Sequence, residues 1–191
     1  MNIRSGLIAL LMIAFLTGCA AKPVAPEKLY TQQEYKQMTY CVGMSDTSRY
    51  VASRKLDGKS REEMREFFAN KEYTKLNLAT VDKVYAESFT SAWDYTISFF
   101  KECADNLAKV PVDRINMGSY CLQNSMIADV AHSFMSADAP REKAYTYFSK
   151  FKSKAPNLII DKVYASSKSR QEIKLEVWSA CMSVLTESAA P

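Results

Sequence analysis

The residues most able to do chemistry in this chain of 191 residues are its cysteines, and their spacing limits what that chemistry is. Cys41, Cys103, Cys121 and Cys181 lie far apart, with no CxxC pair to make a redox motif or half of a zinc site. An even number of distant cysteines suits disulfides wherever the compartment is oxidising, and three connectivities are then open. The other candidates are sparse. His132 is the single histidine, so a helical histidine pair for zinc cannot form. A Ser/His/Asp arrangement would have to be built around that one residue, with Ser125 or Ser133 as nucleophile. SRKLDGKS at 53–60 ends like a phosphate-binding loop in Gly58, Lys59 and Ser60. That loop needs a further glycine where Ser53 stands, so a helix end followed by a helix start explains the string. Glu62, Glu63, Glu66, Asp94, Glu102 and Asp105 could supply a carboxylate pair, but their positions suit solvated faces and first helical turns. No catalytic residue, metal ligand set or cofactor site is assigned.

The N-terminus points to a compartment. Met1 to Arg4 carries one positive charge, Leu7 to Leu16 is an uncharged apolar run, and LTGC follows at 16–19. The run has the character of a signal-peptide core and is too short for an ordinary transmembrane span. Small residues at Thr17 and Gly18 directly before Cys19 resemble the lipobox of bacterial lipoproteins. The resemblance covers roughly the first twenty residues and implies removal of 1–18 as a signal peptide. It also implies a diacylglycerol on the Cys19 thiol and usually an acyl group on its new amine. At about 0.8 kcal/mol per buried CH₂, two or three such chains would anchor the protein to a membrane. Ala20 is not the aspartate that often retains such proteins in the inner membrane, so the resemblance implies an outer-membrane anchor facing the periplasm. Residues 19–30, with AAKPVAPEK, are expected to be a lipidated tether. Export also places the other four cysteines where disulfides persist.

The chain matches itself. VDKVYA at 81–86 returns as IDKVYA at 160–165, and the likeness extends in both directions. At an offset of 80, Tyr40 and Cys41 meet Tyr120 and Cys121, Ser45 meets Ser125, Arg61 and Glu62 meet Arg141 and Glu142, and Phe68 meets Phe148. At 78, Phe100 meets Trp178, Cys103 meets Cys181 and Leu107 meets Leu185. All four cysteines fall into register, and the period exceeds that of common solenoid units. Duplication of a small domain is the expectation, with repeats at 31–108 and 109–188. If each half was once self-sufficient, Cys41 pairs with Cys103 and Cys121 with Cys181; the two crossed pairings are the alternatives.

The elements that must position these residues are helices. Thr31 with Glu34, Ser60 with Glu63 and Ser169 with Glu172 form capping boxes, and Gly58 stands where a C-terminal cap is expected. Trp93, Ile97, Phe100, Ala104 and Leu107 follow the stripe of an amphipathic helix, as do Leu175, Trp178, Met182 and Leu185. Thr80 is taken to precede the short helix that holds VDKVYA, and Pro156 to break the chain. Val81, Val84 and Tyr85 share one face of that helix, as do Ile160, Val163 and Tyr164. Ser45, Ser48, Ala52, Ser125, Ala128 and Ala131 are small enough to let another helix approach closely. The fold expected is all-α: two tandem homologous helical repeats packed together, each with one internal disulfide.

With 25 basic and 21 acidic side chains mixed along the chain, the net charge of +4 leaves no basic footprint for nucleic acid. Eleven tyrosines supply rigid side chains with a polar end, suited to helix seams and to protein interfaces. The functional expectation is a membrane-anchored periplasmic lipoprotein acting as a non-catalytic protein-binding module. An inhibitor, immunity or exclusion protein, or an accessory of an envelope complex, would fit. The alternative is an envelope hydrolase using His132 or a carboxylate pair. Oligomeric state is left open.

Overall fold

The computed structural model describes residues 28–151 and 153–188. The residues expected to form the signal peptide, the lipidated Cys19 and the tether up to residue 27 lie outside the described residues. Helices occupy Gln32–Leu56 (α1), Arg61–Phe68 (α2), Thr74–Ala86 (α3), Ala92–Cys103 (α4), Val112–Ser136 (α5), Arg141–Tyr147 (α6), Ala155–Tyr164 (α7) and Arg170–Ser183 (α8). Among the described residues the only extended pairing is an isolated bridge between Tyr30 and Thr186. The fold is all-α.

Local chemistry sets most helix ends. Thr31, Ser60 and Ser169 each accept from the amide three residues on, while Glu34, Glu63 and Glu172 reach back to the cap. Each box satisfies two otherwise orphaned donors. Gly58 takes a left-handed φ of 84° after α1, which lets the Lys59 amide reach the Arg54 carbonyl at 3.0 Å. Asp138 occupies the matching turn after α5 with φ of 51°, and there the Ala139 amide reaches Phe134. Aspartate tolerates this conformation better than most side chains.

The structure departs from the sequence expectation at four places. α3 begins at Thr74, seven residues before the expected start at Val81; Tyr73 enters the helix with φ of 57° and no side-chain cap. Pro156 opens α7 rather than breaking the chain, occupying the first turn where its missing N–H costs nothing. The stripe on α4 fails at its end: Ala104–Ala108 form a π-helical turn. That wider turn carries Ala108 inward and leaves Leu107 42% exposed. Leu29 and Tyr30, expected in the tether, are docked. Their amides donate to the Leu185 carbonyl, and the Tyr30 side chain is buried with its hydroxyl accepting from Gly118 N–H at 2.9 Å.

Two disulfides staple the long helices, Cys41–Cys103 joining α1 to α4 and Cys121–Cys181 joining α5 to α8. Three apolar clusters surround them. One lies among α1 to α4, around Val51, Phe68, Val81, Val84 and Phe99. A second lies among α5 to α8, around Ala131, Phe148, Ile160, Val163 and Val177. The third draws on α1, α4, α5 and α8 together, with Met38, Phe100, Leu122, Met126, Trp178 and Met182. A fully buried side chain of this kind contributes about 1.5–3 kcal/mol by leaving water, so this shared core holds the halves as one body. Ser45, Ser48, Ala52, Ser125, Ala128 and Ala131 are all buried, and their small size permits the close helix approach their spacing suggested.

Candidate functional site

Two surface features are organised enough to be sites. The first is a cleft of about 620 Å³ bordered by α1, α5 and α8 and lined by Asp46, Arg49, Arg54, Asp129, Arg170 and Lys174, among others. At its floor Asp129 is only 1% exposed, yet it accepts from Arg170 Nε at 2.6 Å and Nη2 at 2.7 Å and from Arg49 Nη2. Lys174 Nζ lies 2.6 Å from Asp46 and 3.5 Å from Asp129. Desolvation lowers the pKa of both Arg49 and Lys174, and in each case the Asp46 carboxylate opposes that shift. Burying charges costs several kcal/mol per ion, and these crossed pairs offset it. Among the described residues Arg49 Nε is the one buried side-chain donor of this cluster without a hydrogen-bond partner. Both carboxylates are engaged by cations, so the cleft presents a fixed ionic network, with no nucleophile and base in contact.

The second feature is apolar. Tyr40, Met44, Tyr73 and Leu76 line a groove of about 340 Å³ between α1 and α3. Tyr40, Met44 and Leu76 also line an adjoining hollow of about 360 Å³ that runs on to Phe99, Cys103 and Leu107 on α4 and its π turn. The two form a continuous trough beside the Cys41–Cys103 bridge. Tyr73 is 69% exposed and Tyr40 50%, so among the described residues no element covers this apolar surface.

The remaining sequence candidates are held in ordinary structural roles or, like Glu62, Glu66, Asp94 and Asp105, are exposed on helix surfaces. His132 is only partly buried; its Nε2 lies 3.3 Å from the Lys168 carbonyl and its Nδ1 3.1 Å from Ser136 Oγ. Ser125 Oγ donates to the Lys174 carbonyl and Ser133 Oγ to the Asp129 carbonyl, so neither serine is bonded to the histidine. Gly58 and Ser60 are the helix end and helix cap, and Lys59 pairs with Glu63. Hydrogen bonds from Lys59 and the Ser60 amide hold the Glu63 carboxyl down to about 2. Glu102 pairs with Lys83, and Asp94 sits in the first turn of α4. Among the described residues no group of three or more His, Cys, Asp or Glu side chains could hold a metal, and no helix is long and apolar enough to cross a membrane.

Sequence reasoning overlooked Arg49 and Asp129. The signal was present, since the two are 80 residues apart and so occupy the same position of the internal match with opposite charge. The trough was half visible through Tyr40. Tyr73 and Leu107 reach it only because of a left-handed residue and a π turn that no spacing rule announces. Comparison of the chain with protein-family models, curated proteins and solved structures finds no match.

Proposed function

We propose that this protein is a lipid-anchored component of a bacterial envelope, held through Cys19 at the outer membrane and facing the periplasm, that acts by binding a protein partner rather than by catalysis. The observation that carries this reading is the apolar trough lined by Tyr40, Met44, Tyr73, Leu76 and Leu107, which no element covers among the described residues. Exposed troughs of this kind, walled by helices, suit an apolar segment of another protein, and tyrosine supplies contact area at small entropic cost. Neutralising an incoming protein, as an inhibitor, immunity or exclusion factor would, and serving as an accessory subunit both need such a surface and no reacting group. In this reading the halves 31–108 and 109–188 descend from one duplicated domain. Their apolar clusters support that: Val51, Phe68, Val81, Val84 and Phe99 correspond, within the offsets of the internal match, to Ala131, Phe148, Ile160, Val163 and Val177.

The test is photo-crosslinking in cells with the full-length lipoprotein. A photoreactive residue at Tyr73 or Leu76 is expected to trap one protein partner, whereas the same residue at Leu158, which is 69% exposed on α7, is expected to trap none. Equal trapping at all three positions would defeat the proposal. Tyr73→Asp should abolish capture without disturbing the fold, because aspartate tolerates the backbone there. His132→Ala should leave capture unchanged. Cys19→Ser is expected to move the protein from the membrane fraction to the soluble one.

A further inference from the structure

Three contacts join residues at matching positions of the two halves. Phe100 and Trp178 meet edge to face with ring centroids 5.9 Å apart. Arg49 is ion-paired with Asp129. Met38 Sδ lies 3.3 Å from where a Cβ on Gly118 would stand. A residue can touch its own counterpart only where a two-fold axis passes between them. Contacts related to within one residue flank these: Lys101 of α4 reaches Asn116 of α5 at 2.8 Å, while Ser179 of α8, the counterpart of Lys101, meets Tyr35 of α1, the neighbour of Asn116's counterpart Lys36, at 3.0 Å.

We infer that α1, α4, α5 and α8 form an interface built on a pseudo-two-fold axis whose residues have diverged into complementary pairs, so that each half accepts the other and rejects a copy of itself. The inference rests on the internal duplication and is independent of the protein-binding trough. Each axis pair is unlike in size or charge: methionine against glycine, tryptophan against phenylalanine, arginine against aspartate. Pairing two first halves would bring Arg49 against Arg49 and place Asp46 opposite Thr96, the counterpart of Lys174. Pairing two second halves would bring Asp129 against Asp129 and place Lys174 opposite Met126, the counterpart of Asp46. Two first halves leave Arg49 and Asp46 without their cross-half partners; two second halves leave Lys174 without Asp46 and set two Asp129 carboxylates together with only the Arg170 and Lys174 of their own halves to balance them. Two copies of Met38 would also compete for one site, and two copies of Gly118 would leave it empty. Like pairs are thus penalised by the same residues that secure the unlike pair. The partner this surface selects is the opposite half, whether from the same chain or from a second copy.

The full chain offers a direct test because neither disulfide crosses between the halves. A protease-recognition loop inserted after the exposed Lys109 allows the folded, oxidised protein to be cut there. The cut protein is expected to stay together, and after unfolding in denaturant and dilution native mass spectrometry should find unlike pairs at least tenfold more abundant than like pairs. Arg49→Asp, made in the cut protein, should weaken the unlike pair at least tenfold, and Arg49→Met by less. Separation of the halves on cutting, or like and unlike pairs in statistical proportion, would overturn the inference. The latter result would leave duplication standing, since equivalent halves that never diverged at the axis pair indiscriminately.

Discussion

The hydroxyl of Tyr85 donates to the backbone carbonyl of Lys59 at 2.6 Å, and Tyr164 makes the corresponding bond to Ala139 at 2.9 Å. Asp82 accepts from Arg61 and Arg65 just as Asp161 accepts from Arg141 and Tyr145. The recurring DKVYA word is therefore a clamp. Its valine fills a core, its aspartate ties down the preceding short helix, and its tyrosine holds the turn before that helix. Val84→Ala and Val163→Ala are expected to destabilise by about 2 kcal/mol each through transfer and cavity terms. Tyr85→Phe and Tyr164→Phe should cost about 0.5–1 kcal/mol, the net value of one hydrogen bond. Urea denaturation midpoints measure both, and a tyrosine change as costly as the valine change would refute the assignment.

Cys41 and Cys103 are 62 residues apart in the chain. Constraining an unfolded loop of that length stabilises the fold by about 4 kcal/mol in the chain-entropy description. The double substitution Cys41→Ala with Cys103→Ala should lower the denaturation free energy by an amount of that order, with the Cys121–Cys181 bridge still forming. Peptide mapping under oxidising conditions reads the pairing. A peptide joining residues 31–108 to 109–188 through sulfur would contradict the structure.

Asp129 takes hydrogen bonds from two arginines at a site almost closed to water. Asp129→Ala strands buried cations and is expected to cost about 3–5 kcal/mol. Lys174→Met removes a cation while keeping apolar volume, although it leaves Asp46 without its partner, and should cost less. Thermal unfolding of the two variants side by side decides the order.

Acid should weaken the fold in a defined window. Lysines hold Glu63 and Glu176 down to about 2, from an ordinary value of 4.5. A group depressed on folding contributes its stability above the unfolded value and loses it as pH falls through the folded one. The denaturation midpoint should therefore decline between pH 4.5 and 2, and Glu176→Gln should flatten that decline. Both side chains face solvent, so added salt should shrink the effect. A slope in this window unchanged by Glu176→Gln and by salt would exclude these pairs as its source.

The helices, their capping boxes and the cysteine staples were legible because each rests on residues near one another in sequence or on a count. Thr31 with Glu34 announces a helix start by itself, and the buried valines of the repeated word follow from helical spacing. What escaped depended on backbone geometry or on juxtaposition across the fold. Nothing in the composition of ADNLA signals that five residues will widen into a π turn and expose Leu107. Nothing beside Tyr73 signals its left-handed entry into α3. Arg49 and Asp129 become a pair only when α1 and α5 are packed, and each by itself is an ordinary charged residue on a long helix.

The bridge between Tyr30 and Thr186 brings the first and the last of the described residues side by side. Tyr30 is also gripped by α5, through the Arg114 carbonyl and the Gly118 amide. A pull entering at Lys28 therefore meets the second half before it can unravel the first, and the strain is shared by shearing along the joined termini. A fusion joined directly after Ser188 would leave from this same corner, close to Lys28. Cargo added for experiments belongs at the turn around Asp138 instead.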